Sequence, residues 1–218
     1  MRRDRPETLE ELSARIRACR HCAQAPAPLP HAPRPVFRVS PTARLLVASQ
    51  APGNLVNQTG IPFNDPSGER LRAWMGVDRD TFYDVSRVAI APMGFCFPGN
   101  DAAGGDLPPR PECRTLWHDA LFSAMPQIET VLAIGRYAQD YHFARLGHAL
   151  PRGASVSGIV ARWREFQGGR PLLFPLPHPS WRNTGWLKKN PWFEAEVLPV
   201  LRAEVARLVQ GATHPRPR

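Results

Sequence analysis

The sequence predicts an α/β fold, a three-layer α/β/α sandwich around a central four-stranded parallel sheet. Four short apolar runs have the length of buried strands, and stretches with the apolar spacing of helices separate them. Strands that alternate with helices form a parallel sheet with helices on both faces. Glycine, proline and histidine directly follow several of these runs, at the carboxyl ends of strands where ligands bind in such sheets.

The composition indicates a single globular domain. The chain has 218 residues, 43% of them hydrophobic, and we expect one domain over 1–218. Segment 1–41 is expected to hold the N-terminal helix, two cysteines and a proline-rich loop, and 211–218 a disordered tail. Neither a signal-peptide core nor a membrane-length apolar run is visible, which predicts a cytoplasmic protein. A formal charge of +9 favours a polyanionic partner.

The N-terminal third is predicted to contain a helix, a loop and the first strand. Apolar residues recur at helical spacing over 6–17. Proline and alanine dominate 23–41, which predicts an extended loop along the surface. The apolar run 44–48 predicts a buried strand, and Pro52 and Gly53 impose a turn after it.

The middle of the chain continues the alternation. Short helices are predicted to begin near Ser67 and after Asp78, whose carboxylate can cap a helix. A second strand is predicted over 87–91, and 100–111 is irregular. A helix over 111–125 follows, with Leu116 predicted on its apolar face together with Trp117 and Leu121.

The C-terminal part completes the sheet. Strands are predicted over 130–134 and 171–176, with a helix over 137–146 between them. The segment 150–169 has mixed periodicity. An amphipathic helix over 192–209 closes the fold.

Four cysteines have a spacing that favours metal or iron–sulfur ligation. Cys19 and Cys22 form a C-x-x-C pair, and Cys96 and Cys113 form a wider one. Disulfides are rare in a reducing compartment. A zinc ribbon has two tight pairs, so the wide second pair favours a structural [4Fe–4S] cluster, with zinc as the less favoured occupant.

Three motifs resemble the uracil-DNA glycosylase superfamily, and most closely its four-cysteine iron–sulfur branch. Residues 49–53 (Ser-Gln-Ala-Pro-Gly) and 59–63 (Thr-Gly-Ile-Pro-Phe) are similar to the first motif of that branch. Residues 178–180 (His-Pro-Ser) are similar to its second motif, and the four cysteines match its cluster ligands. Phe-Pro-Gly-Asn at 97–100 resembles the segment after its third cysteine.

The resemblance implies a bacterial DNA-repair enzyme, acting as a monomer at the nucleoid, that flips uracil out of DNA and hydrolyses its N-glycosidic bond. Phe63 would stack on the base, although an aromatic core residue is the alternative. His178 would donate to the pyrimidine O2 as negative charge develops, unless it is an ordinary loop histidine. Gln50 would orient the water or the base, while Gly53 and Asn64 would complete the base pocket.

A carboxylate is also expected near the sugar, because the bond breaks through an oxocarbenium-like state. Asp65 is the nearest acid in sequence to Phe63, and we predict a catalytic role for it. The alternative is helix capping, which suits the same sequence. Asn54 and Asn57 are further candidates for positioning the water, with a solvated loop as their alternative.

The basic, aromatic segment 181–190 is predicted to contact DNA. Ser180, Trp181, Arg182, Lys188 and Lys189 are the residues expected to do so. Basic groups can hold phosphates, and Trp181 or Trp186 could wedge between bases. A solvated loop with a packed tryptophan is the alternative.

Two positions depart from the family pattern. Gln50 replaces an acidic residue, and Ala91-Pro92 stands where the family has an asparagine that reads uracil. These departures leave two rival hypotheses: a glycosylase for another deaminated base, and a catalytically weak nucleic-acid-binding protein.

Overall fold

The computed structural model describes Arg5, residues 7–26 and residues 28–210. The predicted tail and Pro6 lie outside this part of the chain. The strands are β1 (Leu45–Ala48), β2 (Val88–Ile90), β3 (Thr130–Ile134) and β4 (Leu172–Leu176). The helices are α1 (Leu9–Arg17), α2 (Asn54–Thr59), α3 (Pro66–Met75), α4 (Arg79–Tyr83), α5 (Pro111–Cys113), α6 (Asp119–Ser123), α7 (Gly135–Arg145), α8 (Val156–Ala161), α9 (Thr184–Lys189) and α10 (Leu198–Gln210).

As predicted, the four strands form one parallel sheet, and their order in the sheet is β2-β1-β3-β4. Leu45 of β1 is in register with Val88 on one side and with Thr130 on the other. The chain therefore leaves β1 towards β2 on one side and later returns to β3 on the opposite side. Such a reversal opens a crevice at the carboxyl ends of the strands, where ligands bind.

Helices cover both faces of the sheet, which confirms the three-layer sandwich. Successive side chains of a strand point to opposite faces. Leu46 and Ala48 of β1 pack into a core with α1 and α7, whereas Leu45 and Val47 pack with α3 and α10. Both faces are buried, as a parallel sheet requires.

The predicted N-terminal helix is present as α1 and begins with a capping box. Thr8 Oγ1 accepts from the Glu11 backbone N–H at 3.2 Å, and Glu11 Oε2 accepts from the Thr8 N–H at 2.9 Å. Leu12 and Ile16 are buried against the core. This packing fixes the start of the segment that carries Cys19 and Cys22.

The proline-rich loop runs along the outer edge of β2. Arg38 forms an antiparallel bridge with Ile90, and the Val36 N–H donates to the Phe95 carbonyl at 2.7 Å. The loop thus covers an edge that would otherwise present unpaired backbone groups. It also brings Val36 to the carboxyl end of the sheet.

The predicted apolar face of helix 111–125 is wrong at Leu116. A π-helical turn over Arg114–His118 separates α5 from α6. The wider turn shifts the helical register, so Leu116 is 45% exposed and His118 is fully buried. Leu121 remains in the core as predicted.

Two segments whose structure the sequence left open are helical. Residues 54–59 form α2 rather than a loop, and the region of mixed periodicity contains α8 and a 3₁₀ turn over Trp163–Phe166. None of the helices in the described residues has the length and apolar character needed to cross a membrane.

Candidate active site

A pocket lies at the carboxyl ends of β1, β2 and β4, at the crevice that the strand order creates. Its lining surface is about equally polar and apolar, and the polar side chains are those of two serines, two aspartates and one histidine. The lining residues are Val36, Ser49, Ala51, Pro52, Gly53, Val56, Pro62, Phe63, Asp65, Ser67, Ile90, Pro92, Asp106 and His178. Apolar surface combined with a few convergent polar groups suits a planar base.

Phe63 lines this pocket in a strained backbone conformation. Its φ is +54°, the only positive φ of a non-glycine residue in the described part of the chain. The Tyr83 hydroxyl donates to the carbonyls of Pro62 at 2.8 Å and Phe63 at 3.2 Å. The Phe63 ring meets Phe82 edge-on at 6.1 Å. Strain that the surroundings maintain in this way is typical of functional sites.

His178 follows β4 and presents a defined tautomer. The Ser180 backbone N–H donates to its Nδ1 at 3.3 Å, so in the neutral ring the proton lies on Nε2. Burial lowers the pKa of His178, although the charges of Asp65 and Asp106 oppose that shift. A neutral imidazole with an Nε2–H can donate a hydrogen bond to a carbonyl oxygen without carrying a positive charge.

Asp65 lies at the pocket and also caps α3. Its Oδ1 accepts from the Gly68 backbone N–H at 2.9 Å and from the Ser67 hydroxyl at 2.6 Å. The capping that the sequence suggested is therefore present. Because the residue lines the pocket as well, its carboxylate also faces the space next to His178.

A second, outer cleft adjoins the pocket. It has five residues in common with the pocket and adds residues on the surface side; the shared residues are Ala51, Asp65, Ser67, Asp106 and His178. The lining residues are Gln50, Ala51, Asp65, Pro66, Ser67, Gly104, Asp106, His178, Ser180, Trp181 and Arg182. Buried pocket and exposed surface are thus continuous, as entry of a base from DNA requires.

The predicted DNA contacts lie on the rim of this cleft or next to it. Trp181 is 75% exposed, and the Arg182 guanidinium lies 5.9 Å from its ring centroid. Trp186, in contrast, donates to Ser157 Oγ at 2.6 Å and packs among aromatic rings, so it is held within the fold. Lys188 lines a neighbouring groove with Arg70 and Arg202, and Lys189 is exposed beside it.

A comparison with protein families finds a match to the uracil DNA glycosylase superfamily over residues 37–202. The chain belongs to this superfamily. The matched region contains the sheet, the rim of the outer cleft and every lining residue of the pocket except Val36. Membership indicates a DNA-binding glycosylase, a hydrolase of DNA repair.

Other predicted residues of the glycosylase occupy distinct positions. Gln50 lines the outer cleft rather than the inner pocket, and its Nε2 donates to the Leu107 carbonyl at 3.4 Å. Gly53 lines the pocket at the start of α2. Asn64 Oδ1 accepts from Arg79 at 3.0 Å, and Asn64 lines neither the pocket nor the outer cleft. Pro92 lines the pocket at the end of β2 and offers neither a side-chain amide nor a backbone N–H.

Sequence reasoning missed Asp106, Ser49, Ser67 and Val36, all of which line the pocket. Ser49 directly follows β1 and begins the first motif, and Ser67 is in the first turn of α3, four residues after that motif ends. Their positions in the sequence could therefore have identified them as residues of the site. Val36 and Asp106 come from loops far away in sequence. No spacing or motif indicates that these loops fold over the strand ends.

The four cysteines are free thiols that lie near one another. Cys22 and Cys96 pack together with Leu29, and Cys113 is also buried. Burial, together with smaller contributions from the charges of Cys113, Cys22 and Cys19, raises the pKa of Cys96 to about 12. Mutual repulsion of this kind means that thiolates at these positions would need a cation to stabilise them.

The four cysteines therefore have the chemistry, and the proximity to one another, that a group bound through thiolates needs. Within the residues that the structure describes, no three histidine, cysteine, aspartate or glutamate side chains are arranged to hold one metal ion. The first two cysteines also lie outside the region that matches the superfamily.

Proposed function

We propose that the protein is a uracil-DNA glycosylase that flips uracil out of DNA and hydrolyses its N-glycosidic bond, leaving an abasic site. The observation that carries this proposal is the pairing of His178 with Phe63 in one pocket. His178 offers a neutral Nε2–H donor and Phe63 offers an aromatic ring, both at the crevice of the sheet. Stacking and donation to the base oxygen are the two interactions that a leaving pyrimidine needs.

The chemistry would proceed with charge separation. As the bond to the base breaks, the sugar becomes oxocarbenium-like and the base carries the electron pair. Donation from His178 Nε2–H to O2 stabilises the departing base without a prior proton transfer. The negative charge of Asp65, which lines the same pocket, would stabilise the positive sugar.

The rim of the outer cleft supports DNA binding at the same place. Trp181 is exposed enough to enter a base step, and Arg182 stands beside it to meet a phosphate. Ser180 is positioned by Arg70, which donates to its carbonyl at 2.8 Å. Lys188 and Lys189 extend the positive surface along α9.

We also propose that Cys19, Cys22, Cys96 and Cys113 hold a [4Fe–4S] cluster, as in the iron–sulfur branch of the superfamily. Each thiolate of such a cluster binds a different iron, so its ligands stand further apart than those of a single zinc ion. The cluster would tie the end of α1 to the segments that follow β2 and begin α5. It would act as a structural group, and no step of the reaction passes through it.

A second candidate substrate is another deaminated base. Pro92 supplies no amide at the end of β2, so the serine hydroxyls of the pocket remain as base-reading groups. A hydroxyl both donates and accepts, and therefore distinguishes uracil from hypoxanthine or xanthine less strictly than a fixed amide does.

The deciding experiment is a panel of duplex and single-stranded oligonucleotides that carry uracil, hypoxanthine or xanthine, incubated with excess purified protein. The proposal requires the fastest single-turnover excision with uracil. Faster excision of a deaminated purine would assign the second candidate. Tight binding with no excision of any base would make the protein a nucleic-acid-binding member of the superfamily.

A further inference from the structure

The loop after Cys96 folds back and places Asp106 over the candidate active site. Asp101 Oδ1 accepts from the backbone N–H groups of Ala103 at 2.9 Å and Gly105 at 2.8 Å, which closes the turn. Asn100 and Asp106 then form an antiparallel bridge. The position of Asp106 is therefore set by a hydrogen-bonded loop.

The Asp106 carboxylate is oriented by one neighbour and faces the pocket with its other oxygen. Asn100 Nδ2 donates to Oδ1 at 3.1 Å. Oδ2 lies 3.7 Å from the point where a Cβ on Gly53 would stand, so the missing side chain of Gly53 leaves room beside it. Asp106 also lines both the inner pocket and the outer cleft, and its charge acts on His178.

Asp106 also stands next to the position where the family motif loses its acid. Gln50 donates to the carbonyl of Leu107, the residue that follows Asp106. An amide at position 50 cannot accept a proton from water. A carboxylate from a different loop is thus present at the place where the usual carboxylate is absent.

Asp65, the other carboxylate of the pocket, is more restricted. Both hydrogen bonds to its Oδ1 are local, to Ser67 and Gly68 at the start of α3. Its charge can still stabilise the sugar, but its geometry is fixed by the helix. Asp106 is exposed at the mouth of the pocket, where a water molecule can reach it.

We propose that Asp106 is a catalytic residue of this glycosylase, the base that positions the attacking water and accepts its proton, with Asn100 as the residue that orients it. The proposal rests on the glycosylase function proposed above. It assigns the water-activating role to a residue that lies outside the motifs, although Asn100, which orients it, ends the segment at 97–100 that resembles the family.

The step balances without any further reactant. The C1′–N1 bond breaks, and its electron pair leaves with the base, which accepts a hydrogen bond from His178. The water oxygen bonds to C1′, and one water proton passes to the Asp106 carboxylate. Asp106 then returns that proton to the base anion or to solvent.

The test uses two abasic-site analogues in duplex DNA, so that one readout does not depend on excision. A cationic pyrrolidine nucleotide mimics the oxocarbenium-like sugar, and a neutral tetrahydrofuran nucleotide has the same size. Asp106→Asn should reduce the preference for the cationic analogue by about tenfold or more, because an opposite charge is lost at close range. Asp101→Asn removes the same charge from the same loop and should keep the preference.

A second readout separates a base from a merely structural residue. Asp106→Ala should lower the single-turnover excision rate by about 10²-fold or more, with an unchanged melting temperature. Added formate, a small carboxylate, should restore part of the lost rate in Asp106→Ala and should leave the wild-type rate unchanged.

The role of Asp106 would be overturned by an undiminished cationic preference in Asp106→Asn, by an equal loss of that preference in Asp101→Asn, or by no rescue of Asp106→Ala with formate. Failure of the glycosylase function itself would be visible earlier, in the wild-type protein, as no preference for either abasic duplex over undamaged DNA.

Discussion

A Cβ placed on Gly68 would lie 1.8 Å from the carbonyl oxygen of Phe63. The first turn of α3 therefore packs directly against the strained loop that holds the aromatic ring of the pocket. Only a residue without a side chain permits this approach. The motif residue Phe63 and the helix that follows it form one rigid unit.

Gly68→Ala should separate the loop from the helix and destabilise the protein by about 2 kcal/mol, since backbone must move to relieve the overlap. Excision should fall as well, because Phe63 moves with its carbonyl. Thermal unfolding and single-turnover kinetics measure the two effects.

Gly185→Ala is the matched control. Gly185 lies in α9 with open space around it, and alanine there should stabilise the helix slightly. A Gly68→Ala protein as stable as wild type would contradict the packing argument.

The two roles of Asp65 can be separated by two substitutions. Asp65→Ala removes the cap of α3 and should cost about 1 kcal/mol of stability, whereas asparagine is also a good N-cap and should preserve the melting temperature. Asp65→Asn should nevertheless slow single-turnover excision, because the negative charge near the sugar is gone. If Asp65→Asn is fully active, Asp65 is a capping residue only, and Asp106 is the sole carboxylate of the proposed reaction.

His178→Ala should lower the single-turnover rate by about 10²-fold or more while leaving DNA affinity nearly unchanged. The Nε2–H donor acts on charge that develops only as the bond breaks, so its effect belongs mainly to the transition state. Rate measurements at saturating enzyme and binding to uncleavable substrate provide the comparison. His148→Ala serves as the control, because it removes a histidine that lines neither the pocket nor the outer cleft. Equal losses of rate and affinity in His178→Ala would make His178 a docking residue.

The strands and the motifs could be read from the sequence because both are local patterns. Thr130 is followed by an unbroken apolar run that ends at a glycine, and the structure has β3 over the predicted residues, Thr130–Ile134. Leu116 was misplaced because a π-helical turn leaves no trace in apolar periodicity. Asp106 was missed because its position depends on a bridge to Asn100 and on the packing of a distant loop, which are tertiary contacts.

Acid should destabilise the protein through His142. Its ring is fully buried, and neither ring nitrogen has a hydrogen-bond partner in the described structure. Burial lowers its pKa well below 6.5, and the charges of Arg145 and His118 lower it further. The unfolded chain takes up a proton near pH 6.5 while the folded chain does not. Stability is therefore fully present above that pH and falls as the pH drops below it, by up to about 1.4 kcal/mol per pH unit for one histidine.

Urea unfolding of wild type and His142→Leu between pH 4 and pH 8 isolates this contribution, because other titrating groups cancel in the difference. Leucine cannot titrate, so the stability of wild type relative to the variant should decrease steadily below pH 6.5. A difference that does not change with pH would show that His142 is protonated in the folded protein or that acid opens its surroundings.

The purified protein should be brown, with broad absorbance near roughly 400 nm from thiolate-bound iron and sulfide. Cys96→Ser should lose the iron and much of the stability, because Cys96 connects the segment after β2 to Cys22 in the 3₁₀ turn that follows α1 and to Cys113 in α5. Leu29→Ala is the matched control: Leu29 packs with Cys22 and Cys96, so its loss creates a cavity but leaves every sulfur in place. That variant should be less stable yet keep its iron.

Two outcomes would contradict this prediction. Stoichiometric zinc without iron in wild-type protein purified under anaerobic conditions would show that the site binds zinc and not a cluster. Iron that remains bound in Cys96→Ser would exclude Cys96 as a ligand.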